Sequence, residues 1–120
     1  MTFDEAVAFA LTLPDTERGT SYGKPAVKVA SNGRAFLFPS HEPDTSFGVA
    51  IDLDTIEFLK ETDPDTFWQT AHYVGWEGVL IRYDSKDEER VRDVIRRSRE
   101  FVASKPKPRQ RKPKPSLRGA

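Results

Sequence analysis

Two histidines, His41 and His72, are the side chains best suited to proton transfer or metal ligation in this chain of 120 residues. They stand 31 residues apart, and there is no cysteine. A zinc site takes three or four ligands at short, recurring spacings, and this spacing matches none. We expect no metal and no cofactor, with His41 in a loop and His72 in a strand of mixed polarity. The acidic pairs Asp4/Glu5, Asp52/Asp54 and Glu88/Glu89 fall at expected helix starts. There they complement the helix dipole rather than share a proton. No serine sits in a Gly-x-Ser-x-Gly context, and neither a P-loop nor a Gly-x-Gly-x-x-Gly run occurs. The chain is expected not to be an enzyme.

Chemistry for binding is better supplied. Tyr22-Gly23-Lys24-Pro25 joins a residue free to take unusual backbone angles to one that holds Lys24 extended. Tyr22 either packs on the core or is aimed outward with Lys24. Five arginines, Arg90, Arg92, Arg96, Arg97 and Arg99, lie in the last helical segment. Three of them, Arg92, Arg96 and Arg99, fall within about 60° on a helical wheel and would suit a phosphate backbone. The salt-bridged reading is favoured, because Glu88–Arg92, Asp93–Arg97 and Arg96–Glu100 are i,i+4 pairs of opposite sign.

The overall charge of zero conceals a split. After Ser104 come seven basic residues, Lys105, Lys107, Arg109, Arg111, Lys112, Lys114 and Arg118, and no acid. Up to Ser104 the chain holds 12 basic and 19 acidic side chains, a net of −7. The terminal stretch is also rich in proline, which removes backbone donors, while its like charges repel. Residues 105–120 are therefore expected to form a disordered basic tail, and residues 1–104 a folded domain. A chain of this length buries enough surface for one core without staples. The lack of cysteine excludes a disulfide scaffold and fits a reducing compartment. No apolar run reaches the roughly 20 residues of a membrane span. Met1 to Phe9 has two acids and no Lys or Arg, so no secretory leader is expected and a cytoplasmic setting is.

The elements that would position these groups read as follows. Thr2 with Glu5 is a capping box, and Phe3, Val7, Ala10 and Leu11 recur at helical spacing up to Pro14. A polar connection, Asp15 to Gly19, follows. Residues 26–30 and 34–38 read as strands joined by Asn32-Gly33, a strong hairpin signal. Residues 40–45 read as a loop and 46–51 as a third strand. Leu53, Ile56 and Leu59 give a short helix, after which Asp63-Pro64 starts one further turn carrying Phe67 and Trp68. Residues 70–74 and 79–83 read as a second hairpin. Ser85 with Glu88 is a capping box for the longest helix, whose inner stripe is Val91, Ile95, Ser98 and Val102. This order predicts an α+β fold, an antiparallel sheet covered by helices, rather than alternating βαβ units.

Several segments in this order resemble the MmcQ/YjbR family of small bacterial proteins. They are Leu11-Thr12-Leu13-Pro14, Thr20 to Val29 with Tyr22-Gly23-Lys24-Pro25, Phe67 to Tyr73 with Thr70-Ala71-His72-Tyr73, Val79 to Tyr83, and a closing Phe101-Val102-Ala103. Ala71 stands where a proline is often found, and the basic tail is an addition to the family core. The resemblance implies a YjbR/CyaY-like double wing, with two hairpin wings on a sheet covered by N-terminal, middle and C-terminal helices. Tyr22, Gly23, Pro25, His72 and Tyr73 are the family-motif residues. Members are named DNA-binding because this shape resembles the double-wing domain of a phage transcription activator, an inference from fold alone.

The expected function is weak, largely non-specific DNA binding. Lys24, Lys28, Arg34 and Arg82 would contact phosphate from strands and wing, and Lys105, Lys107, Arg109, Arg111, Lys112 and Lys114 from the tail. The −7 of the body opposes this, because phosphate contacts supply most nucleic-acid affinity. The alternative is a protein-interaction or regulatory module whose tail binds an acidic partner or RNA. A third is a small-ligand pocket behind Tyr22, His72 and Trp76.

Overall fold

A computed structural model describes residues 1–108. Arg109, Arg111, Lys112, Lys114 and the rest of the chain to Ala120 lie outside the described residues, so of the tail expected to be disordered only residues 105–108 are described, with Lys105 and Pro106 hydrogen-bonded to Asn32 and Arg34. Among the described residues no helix is long and apolar enough to cross a membrane.

Helix α1 (Phe3–Ala10) starts on the expected capping box. Thr2 Oγ1 accepts from the Glu5 amide at 3.1 Å, and Glu5 Oε1 accepts from the Thr2 amide at 2.8 Å. Four strands follow: β1 (Thr16–Ser21), β2 (Lys24–Val29), β3 (Ala35–Pro39) and β4 (Ser46–Ala50). Helix α2 (Leu53–Thr62), β5 (Phe67–Trp68), β6 (Gly78–Arg82) and helix α3 (Glu88–Ala103) complete the described chain. The six strands form one antiparallel sheet in the order β1-β2-β3-β4-β6-β5. The fold is α+β, as expected.

The hairpin read around Asn32-Gly33 is present, with β2 and β3 paired and a bulge in the pairing after Val27. Asn32 is buried and ties the turn to the far end of the chain. Its Nδ2 donates to the carbonyls of Val102 at 2.8 Å and Lys105 at 3.1 Å, and its Oδ1 accepts from the Arg34 amide at 3.0 Å.

The structure corrects four expectations. Thr16–Ser21, read largely as a polar connection, is the edge strand β1, paired residue for residue with β2. An edge strand needs no apolar face, so backbone hydrogen bonds suffice to hold a polar sequence there. Phe67 and Trp68 form β5 rather than a helical turn. The single turn at Asp63 ends when the amides of Thr66 and Phe67 bond back to the Asp63 carbonyl. Residues 70–74 are turns, not a strand, because β6 has its two partners already in β4 and β5. Finally, α3 is capped by Asp87, whose carboxylate accepts from the Arg90 amide at 3.1 Å. Ser85, the expected cap, instead accepts from Thr66 Oγ1 at 2.9 Å.

Side-chain alternation sorts the sheet into two faces. Across one face, Val27 pairs with Leu37, Leu37 with Val49 and Val49 with Val79. These join one buried cluster with Ala6, Val7 and Ala10 of α1, Ile56 and Leu59 of α2, and Val91, Val94, Ile95 and Val102 of α3. Each Val, Leu and Ile among them contributes roughly 1.5–3 kcal/mol on full burial. Ser98 lies inside this layer and donates toward the carbonyls of Phe36 at 3.1 Å and Ala50 at 2.5 Å, fixing α3 to β3 and β4. Among the described residues, all three helices therefore share one face of the sheet, and the other face carries none.

Candidate functional site on the helix-free face

The alternation that buries Val27 and Val29 turns Lys24, Ala26 and Lys28 to the opposite face of β2. In the same way Phe38, Ser46, Gly48, Gly78, Leu80, Arg82 and Trp68 face away from the helices. Lys24, Lys28 and Arg82, named from the sequence as phosphate contacts, thus come out on one face from strands far apart in the chain. Carried one residue past β3, the register sets Lys24 in the row of Ser46 and Arg82, three strand spacings or about 14 Å apart. Glu17 lies directly opposite Lys28 and moderates its charge.

The other named cations are placed elsewhere. Arg34 pairs in the row of Val29, and its Nε donates to the Pro106 carbonyl at 2.7 Å. It braces the segment after α3 and does not reach the patch. Lys105 is ion-paired with Glu77 at 3.2 Å and lies over the Phe101 ring. Lys107 is exposed. Of the three ion pairs expected on α3, Glu88–Arg92 and Asp93–Arg97 form and Arg96–Glu100 does not. Arg92 pairs with Glu88 and Glu89, and Arg97 with Asp93, while Arg96 rests over the Phe9 ring at 5.1 Å.

Aromatic rings occupy the centre of the helix-free face. The Trp68 indole donates to Ser46 Oγ at 3.0 Å, and the Arg82 guanidinium covers its ring at 4.5 Å. Phe38 seats on Gly48 and Trp76 on Gly78. A Cβ on Gly78 would lie 2.2 Å from the Trp76 ring, so only glycine leaves room for it. Phe38 and Trp76 are 5.8 Å apart, and Tyr73 meets Trp76 edge-on at 4.9 Å. Gln69 holds the connecting loop in place. Its Nε2 donates to the carbonyls of Gly78 at 2.8 Å and Tyr73 at 3.2 Å, and its Oε1 accepts from Lys60 at 2.9 Å. Sequence reasoning missed Gln69, Phe38 and Gly78, because none carries a local motif. Only the pairing of β4 with β6 makes them neighbours.

His41 and His72 do meet, with ring centres 5.7 Å apart and edge to face, and His41 also abuts Tyr73 at 5.5 Å. His72 sits in a turn, not in the expected strand. Among the described residues no group of three or more His, Cys, Asp or Glu is placed to hold a metal ion. Burial raises the Tyr73 phenol above its ordinary value, and a hydrogen bond from the His41 backbone offsets part of the rise.

Tyr22 stands apart from this cluster. It and Gly23 both have positive φ, 54° and 78°, the signature of a two-residue type I′ turn between β1 and β2. The Tyr22 side chain is 102% exposed, so neither the core nor a pocket shared with His72 and Trp76 receives it. An open cleft does exist beside Arg82, but it is lined by Asp63, Asp65, Asp84 and Asp87 with Lys86. That excess of carboxylates disfavours an anionic ligand there.

Compared with known proteins, the chain matches the family model described as YjbR over residues 11–101. No curated protein and no solved structure matches it.

Proposed function

The chain belongs to the YjbR family, and from that premise we propose that it is a non-catalytic, cytoplasmic module that binds nucleic acid weakly and without sequence preference. The helix-free face supplies the short-range contacts, and the basic tail adds long-range attraction. One observation carries this reading: Lys24, Lys28 and Arg82, from two strands separated by β3 and β4, lie on the same face with part-exposed aromatic rings between them. Cations interleaved with rings suit a phosphate backbone and its bases together. The seven basic residues after Ser104 offset a body that would otherwise repel polyanions.

The test is an anisotropy titration of the full chain on mixed-sequence DNA at two salt concentrations. Each phosphate contact made steepens the loss of affinity with salt by about 0.9 in the log–log slope on duplex. Lys24→Ala and Arg82→Ala are expected to weaken binding further in a chain cut after Pro108. The cut falls there because Lys105 and Pro106 hold Asn32 and Arg34. Binding that survives both substitutions unchanged would reduce the protein to a tail acting as a polycation. A second reading, docking of a protein, draws on Val74, 65% exposed beside Trp76. It requires binding that salt barely changes.

A further inference from the structure

We propose that the ligand of the helix-free face is a single strand rather than a duplex, with Trp76 as the plate on which a base stacks. This inference rests on the nucleic-acid reading above and narrows it to a ligand class.

Three observations lead to it. The first is what the face lacks. All three described helices lie behind the sheet, where Arg92 is engaged by Glu88 and Glu89, Arg97 by Asp93 and Arg96 by the Phe9 ring. Among the described residues this face therefore presents no helix to a major groove.

The second is how Trp76 is held. It is 48% exposed, yet its ring packs on Gly78 and against Tyr73 and Phe38. A ring already fixed in place loses little conformational freedom when a base stacks on it. Trp68 cannot serve in the same way, because Arg82 covers it. Arg82, half-buried, lies four residues along β6 from Gly78, about 13 Å away, in reach of a phosphate farther along a bound strand.

The third is charge. A duplex carries one phosphate per about 1.7 Å of axis, and a single strand about half that density. The face offers three cations, tempered by Glu17 opposite Lys28 and by the carboxylates of the cleft beside Arg82. On a body of net −7, a duplex gathers more repulsion per contact than a single strand does. Stacking on a π-face compensates for scarce cations only where bases are unpaired.

Intrinsic fluorescence gives a direct test, since the chain has only two tryptophans. The full-length protein is titrated at low salt with an oligo-dT strand and with a duplex of equal length. Expected results are tighter binding of the strand, and quenching that persists in Trp68→Phe but disappears in Trp76→Phe. Trp76→Ala should weaken strand binding about fivefold or more, the range of one stacked base, while Trp76→Phe restores most of it. Duplex bound as tightly as the strand, or quenching unchanged in Trp76→Phe, overturns the inference and leaves nucleic-acid binding standing. Failure of both strand and duplex to bind overturns the underlying reading as well.

Discussion

Tyr22 holds a backbone angle of φ 54° that bulky side chains avoid, and its ring touches nothing that would repay the strain. The Tyr-Gly pair was legible as a turn, because Gly23 announces one. That the tyrosine would stand wholly in solvent was not, since aromatic residues ordinarily read as core. Tyr22→Asn, which restores the preferred residue pair for a type I′ turn, should stabilise the fold by about 0.5–1 kcal/mol in a chemical denaturation curve. Gly78 is the opposite case. Nothing in the sequence marks it beyond a loop near Trp76, yet a methyl there would lie 2.2 Å from the indole. Gly78→Ala is expected to destabilise by about 1–3 kcal/mol through overpacking. It should also displace Trp76, visible as a changed emission maximum. The loss from Gly33→Ala would have a different cause, since its φ of 72° faces open space.

At the level of elements, the helices and the central hairpin were legible because their signals are local. Capping residues, apolar spacing and Asn32-Gly33 all act within a few residues. The stripe Val91, Ile95, Ser98 and Val102 is buried as read. β1 was not legible, since a polar edge strand owes its existence to its neighbour β2 rather than to its own pattern. The 70–74 segment failed for the converse reason. Its alternation suits a strand, but both edges of β6 are already taken. The choice between Ser85 and Asp87 as the cap of α3 separates the sequence motif from the structure directly. Asp87→Ala should cost about 1 kcal/mol, the usual loss of an N-cap, while the same change at Ser85 leaves the α3 cap intact. Thermal or urea melts of the two variants distinguish the two positions. Ser98→Ala should cost about 1 kcal/mol as well, from the lost bond between α3 and the sheet.

At the scale of the whole molecule, two raised phenols make stability depend on alkaline pH. Tyr73 is raised by burial, and Tyr83 by burial and then by the carboxylates of Asp44 and Asp4. Tyr83 also donates to the Pro43 carbonyl at 2.7 Å, a bond its ionised form cannot make. In the folded protein both groups keep their protons where the unfolded chain releases them. Their contribution is therefore full below the unfolded phenol value of about 10 and is lost as pH rises through the folded values. Stability should fall above pH of about 10, and Tyr73→Phe should flatten that fall in pH-dependent denaturation. The candidate face is also a property of the whole molecule. The cationic residue types could be named one by one in the sequence. Which of them converge depends on strand order, which put Lys24, Lys28 and Arg82 together and turned Arg34 toward Pro106. The meeting of His41 with His72 depends likewise on two loops that no local pattern links.

On the proposed function, this face, and not the tail alone, receives nucleic acid. Amide and side-chain chemical-shift mapping of the labelled full-length chain, titrated with an oligonucleotide, tests it most directly. Expected are saturable shifts at Lys24, Lys28, Arg82 and Trp76 together with those of the basic tail. Shifts confined to residues after Lys107, with the helix-free face silent, would contradict it.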